Sequence, residues 1–148
     1  MKKTIVTILF GMGVFFAFSQ NGHNPPENVR NYFQKEYPKS KPTSWTQTKT
    51  GWNADFEDKD HDNGEANAHF DTKGRHIDTQ VPYDNKDVPA PVAKNVKSKY
   101  PGSDNLEYTR IDKPGETGVY KVNLSHKGTK KTVYMDNKGQ EKNYHENQ

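Results

Sequence analysis

The sequence predicts an α+β fold: a tandem repeat of one helix followed by three or four antiparallel strands, with both helices packed on one face of a broad sheet. Two observations carry this. The chain repeats itself at an offset of 63 to 65 residues, and within each copy the apolar period changes from a helical spacing to strict alternation. VRNYFQKEYP aligns with VAKNVKSKYP, so that Val29, Phe33 and Tyr37-Pro38 answer Val92, Val96 and Tyr100-Pro101. HFDTKG, 69 to 74, answers YMDNKG, 134 to 139, and Trp45 falls against Tyr108. The repeats are read as 24–84 and 87–147.

Each copy opens with a helix. In the first, Asn24 is placed as the cap, with Pro25 in the first turn and Glu27 three residues after the cap. Val29, Phe33 and Tyr37 fall at i, i+4 and i+8 on one face, and Pro38 stops the helix because its ring opposes continuation. The second helix is expected over about Ala90 to Tyr100, with Val92, Val96 and Tyr100 as its stripe and Pro101-Gly102 as the stop. Strands follow. Trp52, Ala54 and Phe56 alternate with Asn53, Asp55 and Glu57; Ala66, Ala68 and Phe70 alternate with Asn67 and His69. Tyr120, Val122 and Leu124 alternate with Lys121, Asn123 and Ser125; Val133 and Met135 alternate with Thr132 and Tyr134. Such alternation gives a sheet one dry face and one wet face. DTKG and DNKG supply tight turns in which Asp71 and Asp136 bond nearby backbone N–H groups.

Ahead of the repeats, Lys2 and Lys3 precede an uncharged run from Thr4 to Phe18, then AFSQNG. A basic start, a short apolar run and small residues make a secretory signal. The run is shorter than the roughly 20 apolar residues of a membrane anchor. Residues 1–19 are therefore expected to be removed, leaving residues 20–148, from Gln20, as one domain with no stable membrane span. Losing Lys2 and Lys3 lowers the formal charge from +3 to +1, which argues against nucleic acid as a partner. With no cysteine in the chain, disulfides, thiol chemistry and thiolate metal sites are excluded.

Taken together in their order, VRNYFQKEYP, the Trp45 strand, HFDTKG, the VPAPV helix start, KYPG and VYMDNKG resemble the PepSY-like, beta-lactamase-inhibitor-like proteins exported by Bacteroidetes-type bacteria. The resemblance covers nearly all of residues 20–148. It implies a helix-plus-four-strand repeat, a periplasmic or secreted location, and a fold similar to a secreted inhibitor that grips its enzyme with a concave sheet. That inhibitor carries disulfides, which this chain lacks, and no inhibitory contact residue transfers by motif.

Site chemistry is sparse. EDKDHDNGE, 57 to 65, alternates Asp58, Asp60 and Asp62 like the front of a calcium loop, but Asn63 stands where Gly belongs and His69 where the closing Glu belongs. It reads as a hairpin loop. The six histidines show no metal-ligand spacing, and Ser44, Ser98, Ser103 and Ser125 lack a nucleophile elbow. The expectation is no enzyme, no metal and no cofactor. What remains is the wet sheet face. Asn53, Asp55, Glu57, His69, Lys121, Asn123 and Tyr134 are the candidate binding residues, with Tyr108 or Trp45 able to join them. The acidic 57–65 loop and the basic SHKGTKK, 125 to 131, occupy matching hairpin tips and suggest an oriented contact. The function expected is a non-catalytic extracytoplasmic binding module for a protein or peptide. The alternatives are a purely structural envelope domain or an inhibitor of a secreted or periplasmic enzyme.

Overall fold

The computed structural model describes residues 24–59 and 64–144. The expected signal segment and the middle of the acidic loop lie outside them. Two helices and seven strands run in the order α1 (Glu27–Glu36), β1 (Pro42–Gln47), β2 (Gly51–Asp58), β3 (Gly64–Asp71), β4 (His76–Tyr83), α2 (Ala90–Lys99), β5 (Asp104–Lys113), β6 (Glu116–His126) and β7 (Thr129–Met135). The strands form one antiparallel sheet in sequence order. The first copy has four strands. Among the described residues the second has three, followed by a bridge between Met135 and Glu141.

α1 begins two residues later than its cap was placed. Pro26 stands at the N-cap position and no side chain caps the helix. Asn24 lies too early for its side chain to reach the first free N–H groups of a helix starting at Glu27, and Pro25 is buried instead. Both helices end as the sequence suggests, at a tyrosine before proline, where the Tyr37 N–H still bonds Phe33 O and the Tyr100 N–H bonds Val96 O.

Each helix covers its own half of the sheet. Val29, Phe33 and Tyr37 pack on Trp52, Ala54, Phe56, Ala68, Phe70 and Val81. The Phe33 ring stands edge-on to Phe56 at 4.8 Å and to Trp45 at 5.7 Å. Aromatic rings thus supply much of the buried area in a chain short of aliphatic residues. Val92 and Val96 pack on Tyr108, Tyr120, Val122, Leu124 and Met135, with Tyr100 partly buried at the margin. Tyr83 touches both clusters and joins the halves.

The two DxKG turns are built alike. Asp71 Oδ1 accepts the N–H of Lys73 and of Arg75 at 2.9 Å. Asp136 Oδ1 accepts those of Lys138 and Gln140 at 2.9 and 2.8 Å. The backbone bond from Arg75 is the chief reason that the Asp71 carboxyl is held below the usual carboxylate range. Each turn also seats a helix. Asn28 on α1 donates to Lys73 O at 2.7 Å, and Asn95 on α2 donates to Gly139 O.

Candidate functional site

All seven candidate residues lie on the sheet face opposite the helices. Asn53 pairs with His69 and Asp55 with Asn67 across β2 and β3, while Lys121 pairs with Tyr134 and Asn123 with Thr132 across β6 and β7. Their side chains therefore share the phase opposite Trp52, Ala54, Val122 and Met135. They do not form one patch. Asn53, Asp55, Glu57 and His69 make one group and Lys121, Asn123 and Tyr134 another, with β4 and β5 between them. At about 4.8 Å per strand, the two groups stand roughly 14 Å apart.

Trp45 and Tyr108 belong to the other side, contrary to the sequence expectation that either could join the open face. Trp45 packs against Phe33 and Phe70, and Tyr108 is buried in the second core opposite Val122. The six-residue β1 shows too little alternation to reveal the phase of Trp45, and β5 is irregular in register on both sides of Tyr108, so the packing under the helices decides both.

The first group borders a concavity of about 690 Å³. Asp55, Glu57 and Glu65 stand at its acidic side, and Gln80, Pro82 and Thr109 continue it across β4 and β5. Asp55 is fixed by Ser44, whose hydroxyl donates to Oδ2 at 2.6 Å, and by Asn67, whose amide donates to Oδ1. Strands β1 to β4 contain no lysine or arginine, while Asp55, Glu57 and Glu65 stand on this half of the open face, so it is acidic. β6 and β7 bring Lys121 and Lys130 to the other half.

Three open-face residues escaped the sequence reading because they are buried there with no helix of the described residues above them. Ile111 is 0% exposed, Val119 2% and Asp78 2%. Ile111 pairs with Val119 and with Gln80 in the middle of the sheet. His69 Nδ1 lies 2.6 Å from Asp78 Oδ1, giving the buried carboxylate its partner. At the far end, Tyr134 and Tyr144 pack at 4.8 Å, and Lys113 Nζ sits 4.2 Å above the Tyr144 ring. Asp58, read as part of a solvated loop, is 1% exposed. It ends β2 on the core phase, two residues beyond Phe56.

A second cleft, of about 430 Å³, opens on the helix side between α1 and the β5–β6 hairpin. Here Tyr32 OH and His76 Nδ1 share a hydrogen bond of 3.3 Å, His76 Nε2 and Thr79 Oγ1 one of 2.9 Å, and Thr79 Oγ1 and Tyr37 OH one of 2.7 Å. Burial, set against the charge of Asp78, holds the His76 pKa below its ordinary value, and burial pushes the Tyr37 hydroxyl up to about 12. Arg110 donates to Asp112 at 2.8 Å and to Tyr83 OH at 2.5 Å. A hydroxyl beside an imidazole is the start of a nucleophile arrangement. Thr79, however, is 2% exposed and already engaged by Tyr37. The network fastens α1 to β4. Among the described residues no group of three or more His, Cys, Asp or Glu is placed to hold a metal ion, and no helix is long and apolar enough to cross a membrane.

Comparison with known proteins bears on the same architecture. A family model described as beta-lactamase-inhibitor-like and PepSY-like matches residues 21–77 and 52–141. The fold is similar to that of a DUF2874 family protein from Bacteroides ovatus, at 20% identity and a TM-score of 0.70, covering 81% of this chain and 86% of that one. A BLIP-like protein from Bacteroides fragilis is similar at 20% identity and a TM-score of 0.70, covering 80% and 83%. A further DUF2874 family protein, from Bacteroides uniformis, reaches 19% and 0.66, covering 78% and 85%. Among curated proteins none matches.

Proposed function

From its place in the PepSY-like, beta-lactamase-inhibitor-like family, to which the chain belongs, we propose that this periplasmic or secreted, non-catalytic domain binds a protein or peptide through its open sheet face. The observation that carries the proposal is the face itself. Among the described residues no helix covers one side of the seven-stranded sheet, and that side bears a concavity flanked by carboxylates and, across the sheet, by lysines and Tyr134. A broad polar surface with an aromatic near its margin suits a macromolecular partner. A small-ligand carrier needs an enclosed, mostly apolar pocket instead. Asn53, Asp55, Glu57, His69, Lys121, Asn123 and Tyr134 are the contacts proposed. A shared fold at about 20% identity does not bring inhibition of a beta-lactamase with it.

The test is capture from the native cell envelope with the wild-type protein and a Tyr134→Ala, Lys121→Glu double variant, after both show matching circular dichroism and melting curves. A partner held by the wild type and lost by the variant supports the face. Equal recovery of every partner, or of none across several salt conditions, favours the purely structural domain.

A further inference from the structure

The acidic concavity is lined by two rows of polar side chains that cross the strands. Asp55, Asn67 and Gln80 follow one another on β2, β3 and β4 in the first row. Glu57 pairs with Glu65 in the second, and Pro82 stands two residues along β4 from Gln80. At about 3.3 Å per residue the rows are roughly 7 Å apart. Asp55 is held from several sides. The Ser44 hydroxyl donates to its Oδ2 at 2.6 Å, the Asn67 amide to its Oδ1, and the Thr43 hydroxyl to its backbone oxygen at 2.9 Å. With the amide nitrogen turned to Asp55, Asn67 Oδ1 is left as a buried acceptor in the lining, and no described residue donates to it. Such an acceptor points to a donor on whatever fills the concavity. The second copy lacks these features. Thr132 stands where Asn67 does at the repeat offset of 65, and it pairs with Asn123 as Asn67 pairs with Asp55. There the Thr132 hydroxyl donates to Asn123 Oδ1 at 2.8 Å, and the pair is neutral.

We propose that this concavity takes an arginine side chain of the partner protein, an inference that rests on the open-face reading and gives it a chemistry. Every charged group in the lining is a carboxylate, so the group that enters is a cation. A guanidinium suits the lining better than an ammonium. The acceptors are spread over two rows, and a guanidinium carries five N–H donors in a planar fork, whereas an ammonium offers three on a point charge. Asp55, already oriented by Ser44 and Asn67, accepts the fork without reorganising, and Asn67 Oδ1 beside it accepts a further N–H. Glu57 and Glu65 are exposed at the rim, where they draw the charge in. Glu57 meets Lys59 at 3.4 Å, with both side chains more than half exposed, and such a pair is easily exchanged for another. Pro82 gives the aliphatic stem of the arginine an apolar surface. A volume of about 690 Å³ matches a drug-sized ligand and exceeds one side chain, so neighbouring residues of the partner enter with the arginine.

The probes are a capped Gly-Arg-Gly peptide and its lysine and citrulline counterparts, citrulline keeping the shape of arginine without its charge. Each is titrated into the full chain at low salt and followed by amide NMR. The arginine peptide is expected to shift the Asn67 side-chain amide and the Glu65 and Gln80 backbone amides, and to bind at least about fivefold tighter than either counterpart. Asn67→Thr, which copies the second repeat, and an Asp55→Asn, Glu65→Gln double variant, each with an unchanged melting curve, are expected to lose that preference. Tyr134→Ala, Lys121→Glu is expected to keep it. Equal binding of the arginine peptide and either counterpart, or shifts that avoid β2 to β4, overturns the inference, and this comparison on the wild-type chain decides even where a variant fails to fold. An envelope partner that is lost with Tyr134→Ala, Lys121→Glu yet kept by Asp55→Asn, Glu65→Gln also overturns it, and leaves the open-face reading in place.

Discussion

Alanine placed at three glycines separates backbone strain from steric conflict, and the repeat supplies the controls. Gly102, Gly74 and Gly139 share nearly the same left-handed backbone, with φ of 71°, 78° and 77°. An L-residue there costs about 1–2 kcal/mol. Their surroundings differ. A Cβ on Gly102 meets nothing within 4 Å. On Gly74 it meets the Asn28 side chain at 2.1 Å. That amide can swing aside at the loss of its bond to Lys73 O, about 1 kcal/mol. On Gly139 it meets Pro91 O at 2.4 Å and Pro91 C at 2.7 Å. Those are backbone atoms in the first turn of α2, so the turn and helix must separate, at about 1–3 kcal/mol beyond the strain. The expected costs are about 1–2 kcal/mol for Gly102→Ala, about 2–3 for Gly74→Ala and about 2–5 for Gly139→Ala. Against a domain stability of roughly 5–15 kcal/mol, the last is a large share. Urea unfolding of the three variants, followed by far-ultraviolet circular dichroism, measures the series. If Gly139→Ala and Gly102→Ala agree within about 0.5 kcal/mol, the DNKG turn is not the tight seat for α2 argued above.

Phe33→Ala or Phe56→Ala should each cost about 3–5 kcal/mol, since both rings are 2% exposed and meet edge-on, and urea midpoints within error of wild type would reject that core. His76 makes stability depend on pH. Its folded pKa lies below the ordinary value, so the unfolded chain takes up a proton first, and stability should fall as pH drops below about 6.5. His76→Gln should flatten that part of the profile, and an unchanged slope would assign the dependence to other groups. The secreted protein is expected to start at Gln20, and an intact mass retaining residues 1–19 would reject the proposed cleavage.

Local chemistry made much of this protein legible in the sequence. A period of two reports which side chains share a face, so the dry phases of β2, β3, β6 and β7 could be read directly. An Asp side chain bonds its own following backbone, so DTKG and DNKG announced their turns before any partner was known. Helix stripes ending at Tyr-Pro were equally plain. The middle of the sheet was not. β4 and β5 lie where the two copies meet, and burial there depends on strands from both. The open-face burial of Ile111, Val119 and Asp78 follows from neighbours across the ladder, none of them adjacent in the chain. Trp45 took its side from the helix above rather than from the short alternation of β1, and Tyr108 from its pairing with Val122 under the second helix. The sequence itself marked the open face by its polar phase. That the candidate residues on it form two groups, with an acidic concavity beside one of them, was decided by strand order and register, which no single segment encodes.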